Sequence, residues 1–165
     1  MKYIVVYLLC VVGIQSLCSA DVTKFATANP SGGGLRAQDR KALQDASRFH
    51  EIHSTRDLPP PIVALCARRQ NNLAEPGGKW NATDVVVDTT LPSKRLIWAA
   101  VGGDYYVVHY ERGGIAHTFH ILVANLAKNE AKAVWSAVGG PFKDYAAFLD
   151  GLRSGKLDDR LGYPH

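Results

Sequence analysis

The fold is decided by residues 95–138, which read RLIWAAVGGDYYVVHYERGGIAHTFHILVANLAKNEAKAVWSAV. β-Branched and aromatic residues are concentrated here in runs that short glycine-rich or polar links separate. The predicted strands are Arg95 to Val101, Tyr105 to Glu111, Ile115 to Asn125 and Ala131 to Val138, with Val85 to Val87 as a further candidate. Parallel neighbours would need crossovers of about a dozen residues, so these links predict an antiparallel meander of four to five strands.

Two helices are predicted before the sheet. Apolar residues recur at spacings of three and four from Leu35 to about His53, which is typical of a helix with one apolar stripe. Pro61 can begin a second helix that runs to about Arg69, because the first helical position needs no N–H.

A third helix is predicted after Gly140-Pro141, and Gly155 can end it in the left-handed conformation. Its apolar stripe consists of Phe142, Tyr145, Leu149 and Leu152. The predicted fold class is therefore α+β: two N-terminal helices, an antiparallel β-meander of four to five strands, and a C-terminal helix packed on the sheet.

The first twenty residues have the layout of a secretory signal peptide. Lys2 supplies the positive charge, Tyr3 to Ile14 the apolar stretch, and Cys18-Ser19-Ala20 the small residues before a cut. The apolar stretch would be about 18 Å long as a helix, too short for a permanent membrane span. Lipid attachment at Cys18 is the alternative, but the bulky Leu17 argues against it. We therefore expect an exported protein, periplasmic or extracellular, whose mature chain begins at Asp21.

The chain divides into four predicted segments, which are a signal peptide at 1–20, a flexible leader at 21–34, a single α+β domain at 35–155 and a loose tail at 156–165. Without Lys2 the mature chain has 18 basic and 15 acidic residues, a net charge of +3. This mild and dispersed charge predicts no nucleic-acid partner. Cys66 is the only cysteine that remains, and its apolar neighbours favour a buried thiol.

The candidate site lies in the stretch from His109 to His120. If Gly113-Gly114 is a two-residue turn, Tyr110 pairs with His117 and Val107 with His120. Alternation then makes the face with Tyr106, Val108, Tyr110, His117, Phe119, Ile121 and Val123 the candidate core. The other face carries Tyr105, Val107, His109, Glu111, Thr118, His120 and Leu122.

The predicted ligand-binding residues on this second face are Tyr105, His109, Glu111 and His120. A metal site would use His109 and His120 as nitrogen ligands and Glu111 as a third ligand. The wide spacing favours a solvated sheet face instead, so no metal and no cofactor is predicted. His50 and His53, three residues apart, do not have the spacing of a zinc-protease motif but would share one face of the first helix.

No motif in the sequence specifies a reaction. We therefore predict a small non-catalytic exported protein that binds a protein or an envelope component, a class that includes inhibitors of secreted or periplasmic enzymes. The alternative is a small hydrolase or metal-dependent enzyme that uses the face with His109, Glu111 and His120. A structural protein of the envelope, held there by the leader, is a third class. After signal removal, no permanent membrane span is expected.

Overall fold

The computed structural model describes residues 34–67, 72–86 and 88–160. The predicted signal peptide and the predicted leader up to residue 33 lie outside the described residues, as do residues 161–165 of the predicted tail. In the described ranges, no helix has the length and apolar character needed to cross a membrane.

A five-stranded antiparallel sheet forms the centre of the fold, and each strand pairs with its neighbours in sequence. The strands are β1 (His50–Ile52), β2 (Lys94–Gly102), β3 (Tyr105–Arg112), β4 (Thr118–Ala127) and β5 (Glu130–Val138). The predicted antiparallel meander is confirmed from β2 to β5. Lys128 and Asn129 are both left-handed, as a tight two-residue turn between β4 and β5 requires.

The first strand of the prediction needs correction. Val85 and Val86 lie in an exposed segment outside any strand. The fifth strand is instead β1, which lies within the range predicted as the first helix. Among the described residues, three α-helices accompany the sheet: α1 (Ala37–Gln44), α2 (Pro60–Ala67) and α3 (Tyr145–Arg153).

The first helix ends earlier than its apolar spacing predicts because the residues of β1 have partners far away in the sequence. The residues of β1 pair with Ala99, Ala100 and Val101 of β2. The carboxylate of Glu51 also accepts the N–H of Tyr145, the first residue of α3. His50 and His53 therefore share no helical face, and the prediction that they do is wrong.

Both faces of the sheet are covered. On the α3 face, Trp98, Ile121 and Phe148 belong to one buried cluster, to which α1 contributes Leu43. On the α2 face, a second buried cluster comprises residues from α2 and from β2 to β4, among them Ile62, Leu96, Val108 and Leu122. The prediction of a solvated sheet face is therefore wrong over the centre of the sheet.

The C-terminal helix is closed at both ends by local contacts. The carboxylate of Asp144 accepts the N–H of Ala147 at 2.7 Å, and Gly155 is left-handed with a φ of 68°. Beyond it, Asp158 pairs with Val138 of β5 through two backbone hydrogen bonds. The described part of the predicted loose tail is thus held against the sheet.

Cys66 faces the buried cluster of the α2 face and is fully inaccessible to solvent. Burial raises the pKa of its thiol to about 12, which disfavours the reactive thiolate. We expect a thiol reagent to label Cys66 only after the protein is unfolded in denaturant, as measured by intact mass. Rapid labelling of the native protein would contradict this burial.

Candidate functional site

The predicted register between β3 and β4 is wrong. Tyr110 pairs with His120, whereas a two-residue turn at Gly113-Gly114 would pair it with His117. The connection is the longer loop 113–117, so each β3 residue meets a β4 residue three positions further along the chain. An odd shift turns the side chains of β4 to the opposite face.

The four predicted ligand-binding residues are consequently divided between the two faces. Tyr105, His109 and Glu111 lie on the α3 face, while His120 lies on the α2 face. The sheet itself separates His109 from His120, so the predicted face that unites them does not exist.

His109 is a buried structural residue. Its Nδ1 donates to the carbonyl of His120 at 2.9 Å, and its Nε2 accepts the backbone N–H of Phe142 at 3.1 Å. These two partners fix the neutral ring with its proton on Nδ1, and burial lowers its pKa in the same sense. Neither nitrogen has a lone pair left for a metal ion.

Tyr105 and His120 also have partners within the fold. The hydroxyl of Tyr105 donates to the buried carboxylate of Asp39 at 2.7 Å, which ties α1 to the sheet and raises the pKa of Tyr105. The ring of His120 stacks on Tyr110 with a centroid distance of 5.2 Å. Across the described ranges, no group of three or more His, Cys, Asp or Glu side chains could hold a metal ion.

Glu111 is the predicted residue that leads to a second arrangement, near the surface. The Glu111 side chain is buried, and its carboxylate binds Arg95 Nε through one oxygen, at 2.5 Å, and His117 Nε2 through the other, at 2.7 Å. The ring of Trp80 lies 5.0 Å from the Arg95 guanidinium carbon and 5.4 Å from the His117 ring. The prediction missed this cluster because the wrong register placed His117 on the opposite face.

The cluster fixes His117 at the end of the loop. The His117 side chain is 45% exposed, and its Nδ1 has no hydrogen-bond partner among the described residues. Within those residues, no serine, threonine or cysteine is hydrogen-bonded to His117. The arrangement thus orients an imidazole as a general base would need, but without a nucleophile bonded to it.

Two loops meet above this cluster, residues 81–86 and 113–117, and we call them together the loop tip. A parallel bridge joins Thr83 to Gly114. The α-carbon of Gly113 packs so closely on the other loop that an added Cβ would lie 2.1 Å from the carbonyl oxygen of Asn81. Only glycine permits this approach.

The side chain of Asn81 closes the first of these loops. Its Nδ2 donates to the carbonyls of Asp88 and Leu91, at 2.8 and 2.9 Å, and its backbone N–H donates to Pro92. Asn81 also begins the glycosylation pattern Asn81-Ala82-Thr83. The amide nitrogen that would carry a glycan is thus engaged inside the loop.

The loop tip exposes apolar side chains. Ile115 is 95% exposed, Val85 70% and Val86 51%, and they are the only large hydrophobic residues in the described ranges that are exposed.

Compared with known proteins, the chain matches no family model, no curated protein and no solved structure.

Proposed function

We propose that this chain is an exported, non-catalytic binding protein that uses the loop tip to hold a secreted or periplasmic macromolecule, as an inhibitor or stable partner does. The exposure of Ile115, Val85 and Val86 on two joined loops carries the proposal. Apolar surface in water costs about 25 cal/mol per Å², and grouped apolar exposure marks interaction sites.

The contacts beneath the loop tip support the same function. Asn81 closes one loop, and Glu111 holds the end of the other through His117. Loops that are already fixed in the free protein lose less conformational entropy when they bind a partner. These contacts therefore favour a binding surface that is already formed in the free protein.

One observation favours a second candidate function, a small hydrolase with His117 as general base. Glu111 orients the His117 ring and leaves its Nδ1 without a hydrogen bond in the described part of the chain. We rank it second because the original enzyme hypothesis needed His109 and His120 on one face, and they lie on opposite faces.

The test compares two variants that add the same charge at two exposed positions, one inside and one outside the loop tip. Ile115→Asp should weaken capture of a partner from the host envelope or medium by about 100-fold, because a charge replaces an apolar anchor. Ala64→Asp is the matched control, since Ala64 is exposed on α2, outside the loop tip. Equal capture by both variants would contradict a role for the loop tip.

The export half of the proposal has a separate readout. Mass spectrometry of the mature protein should find an N-terminus at Asp21, and an intact Met1 or an acylated Cys18 would contradict it. A wild-type protein that captures no macromolecule would contradict the binding function itself.

A further inference from the structure

Resting on the proposed function, we infer that the loop tip enters a concave apolar pocket of a protein partner and that the side chain of Ile115 fills this pocket. Ile115 is the most exposed large hydrophobic residue of the described chain, at 95%. Its neighbours are Gly114 and Ala116, with Gly113 before them. Within its own loop, Ile115 therefore stands between small residues, and the exposed Val85 and Val86 belong to the second loop.

This shape decides between a pocket and a flat surface. An isoleucine on a flat partner would bury one side of its side chain, whereas a pocket surrounds it and removes most of its surface from water. A second copy of this chain that met the first tip to tip would present exposed apolar side chains and no pocket. We therefore take the occupant to be a different protein with a concave site.

Charge around the loop tip favours a protein over a lipid surface. Asp84 lies directly before Val85, and Arg112 lies directly before the other loop; both side chains are exposed. Segments that insert into membranes usually surround their apolar residues with Lys and Arg, because the lipid surface is anionic. A rim of both signs around an apolar centre is the arrangement of protein–protein interfaces.

The base of the loop tip can be covered at little electrostatic cost. The buried carboxylate of Glu111 already has Arg95 on one oxygen and His117 on the other. A bound protein that excludes water from this region would therefore leave the Glu111 carboxylate paired with Arg95 and His117. An unpaired charge at the same place would oppose binding strongly.

A size series at position 115 tests the pocket, with the macromolecule captured by the wild-type protein purified and titrated as the probe. Ile115→Val should bind within about threefold of wild type, and Ile115→Ala about 30-fold more weakly. Ile115→Trp should weaken binding by about 100-fold, because an enclosed site cannot admit a larger side chain. Ala64→Trp is the control outside the loop tip and should bind as wild type does, since Ala64 is exposed on α2.

The outcomes separate this inference from the proposed function. If Ile115→Asp abolishes binding but Ile115→Trp binds as tightly as wild type, the partner's surface is flat at this position. The inference of a pocket would then be wrong, while the proposed binding function would stand. If Ile115→Asp changes nothing, the role of the loop tip fails as well. Vesicles of phosphatidylethanolamine and phosphatidylglycerol should not bind, and light scattering should show a monomer. Vesicle binding or a dimer that Ile115→Asp abolishes would overturn the inference.

Discussion

Trp98→Ala is expected to lower the free energy of unfolding by about 4 kcal/mol, because large cavities in a packed core are not refilled. The Trp98 side chain is almost completely buried on the α3 face. Its indole nitrogen donates to the carbonyl of Phe142 at 2.8 Å, and its ring packs against His109 and Phe148. The variant would lose these contacts and leave the carbonyl of Phe142 without this donor. Equilibrium denaturation in urea measures the change.

Trp80→Ala is the matched control for this loss. Trp80 is partly exposed and contacts Arg95 and His117 beneath the loop tip, outside both buried clusters. Its removal should cost about 1 kcal/mol, the size typical of a position away from the core. If the two variants lost equal stability, Trp98 would not be the centre of the core.

Local sequence patterns were sufficient for the strands of the meander and for the end of the C-terminal helix, which begins at Tyr145, so that Phe142 of the predicted stripe lies before it. β2 to β5 were predictable because their β-branched and aromatic residues occur in runs between short links, which allow only antiparallel neighbours. Gly155 was a reliable signal for the end of α3, since its φ of 68° is favourable only for glycine.

The register of the candidate site could not be predicted in the same way. Gly113-Gly114 satisfies the local rule for a two-residue turn, yet Gly113 donates its N–H to the carbonyl of Ser93 and packs on Asn81. Those partners are about twenty and thirty residues earlier in the chain, beyond the range of a turn rule. The contacts hold the connection open as a longer loop, which places His117 near Glu111 and separates His109 from His120.

The same limit applies to β1. The spacing of Phe49 and Ile52 fits one face of a helix, but the structure uses each residue differently. The ring of Phe49 stacks on Tyr145 of α3, and Ile52 pairs with Ala99 of β2. Short segments with ambiguous periodicity are decided by such distant partners, and a single sequence does not reveal them.

Gly113→Ala is expected to separate the two loops of the tip and to lower the free energy of unfolding by about 3 kcal/mol, the upper range for overpacking. The new Cβ would lie 2.1 Å from the carbonyl oxygen of Asn81 and 2.7 Å from the carbonyl carbon of Ala82. These are backbone atoms, so no side-chain rotation can relieve the overlap, and one loop must move away from the other.

The movement can be followed at two backbone amides and by partner binding. The N–H groups of Gly113 and Asn81 donate to Ser93 and Pro92, so hydrogen exchange at both should become faster in the Gly113→Ala variant. Capture of a partner should fall at least as far as in Ile115→Asp, because the apolar side chains would no longer be held together. Gly34→Ala is the matched control, since its added Cβ would meet only a carboxylate oxygen of Asp159 at 3.5 Å. If both amides stay protected and both variants are equally stable, the close packing of the two loops is not what holds the tip together.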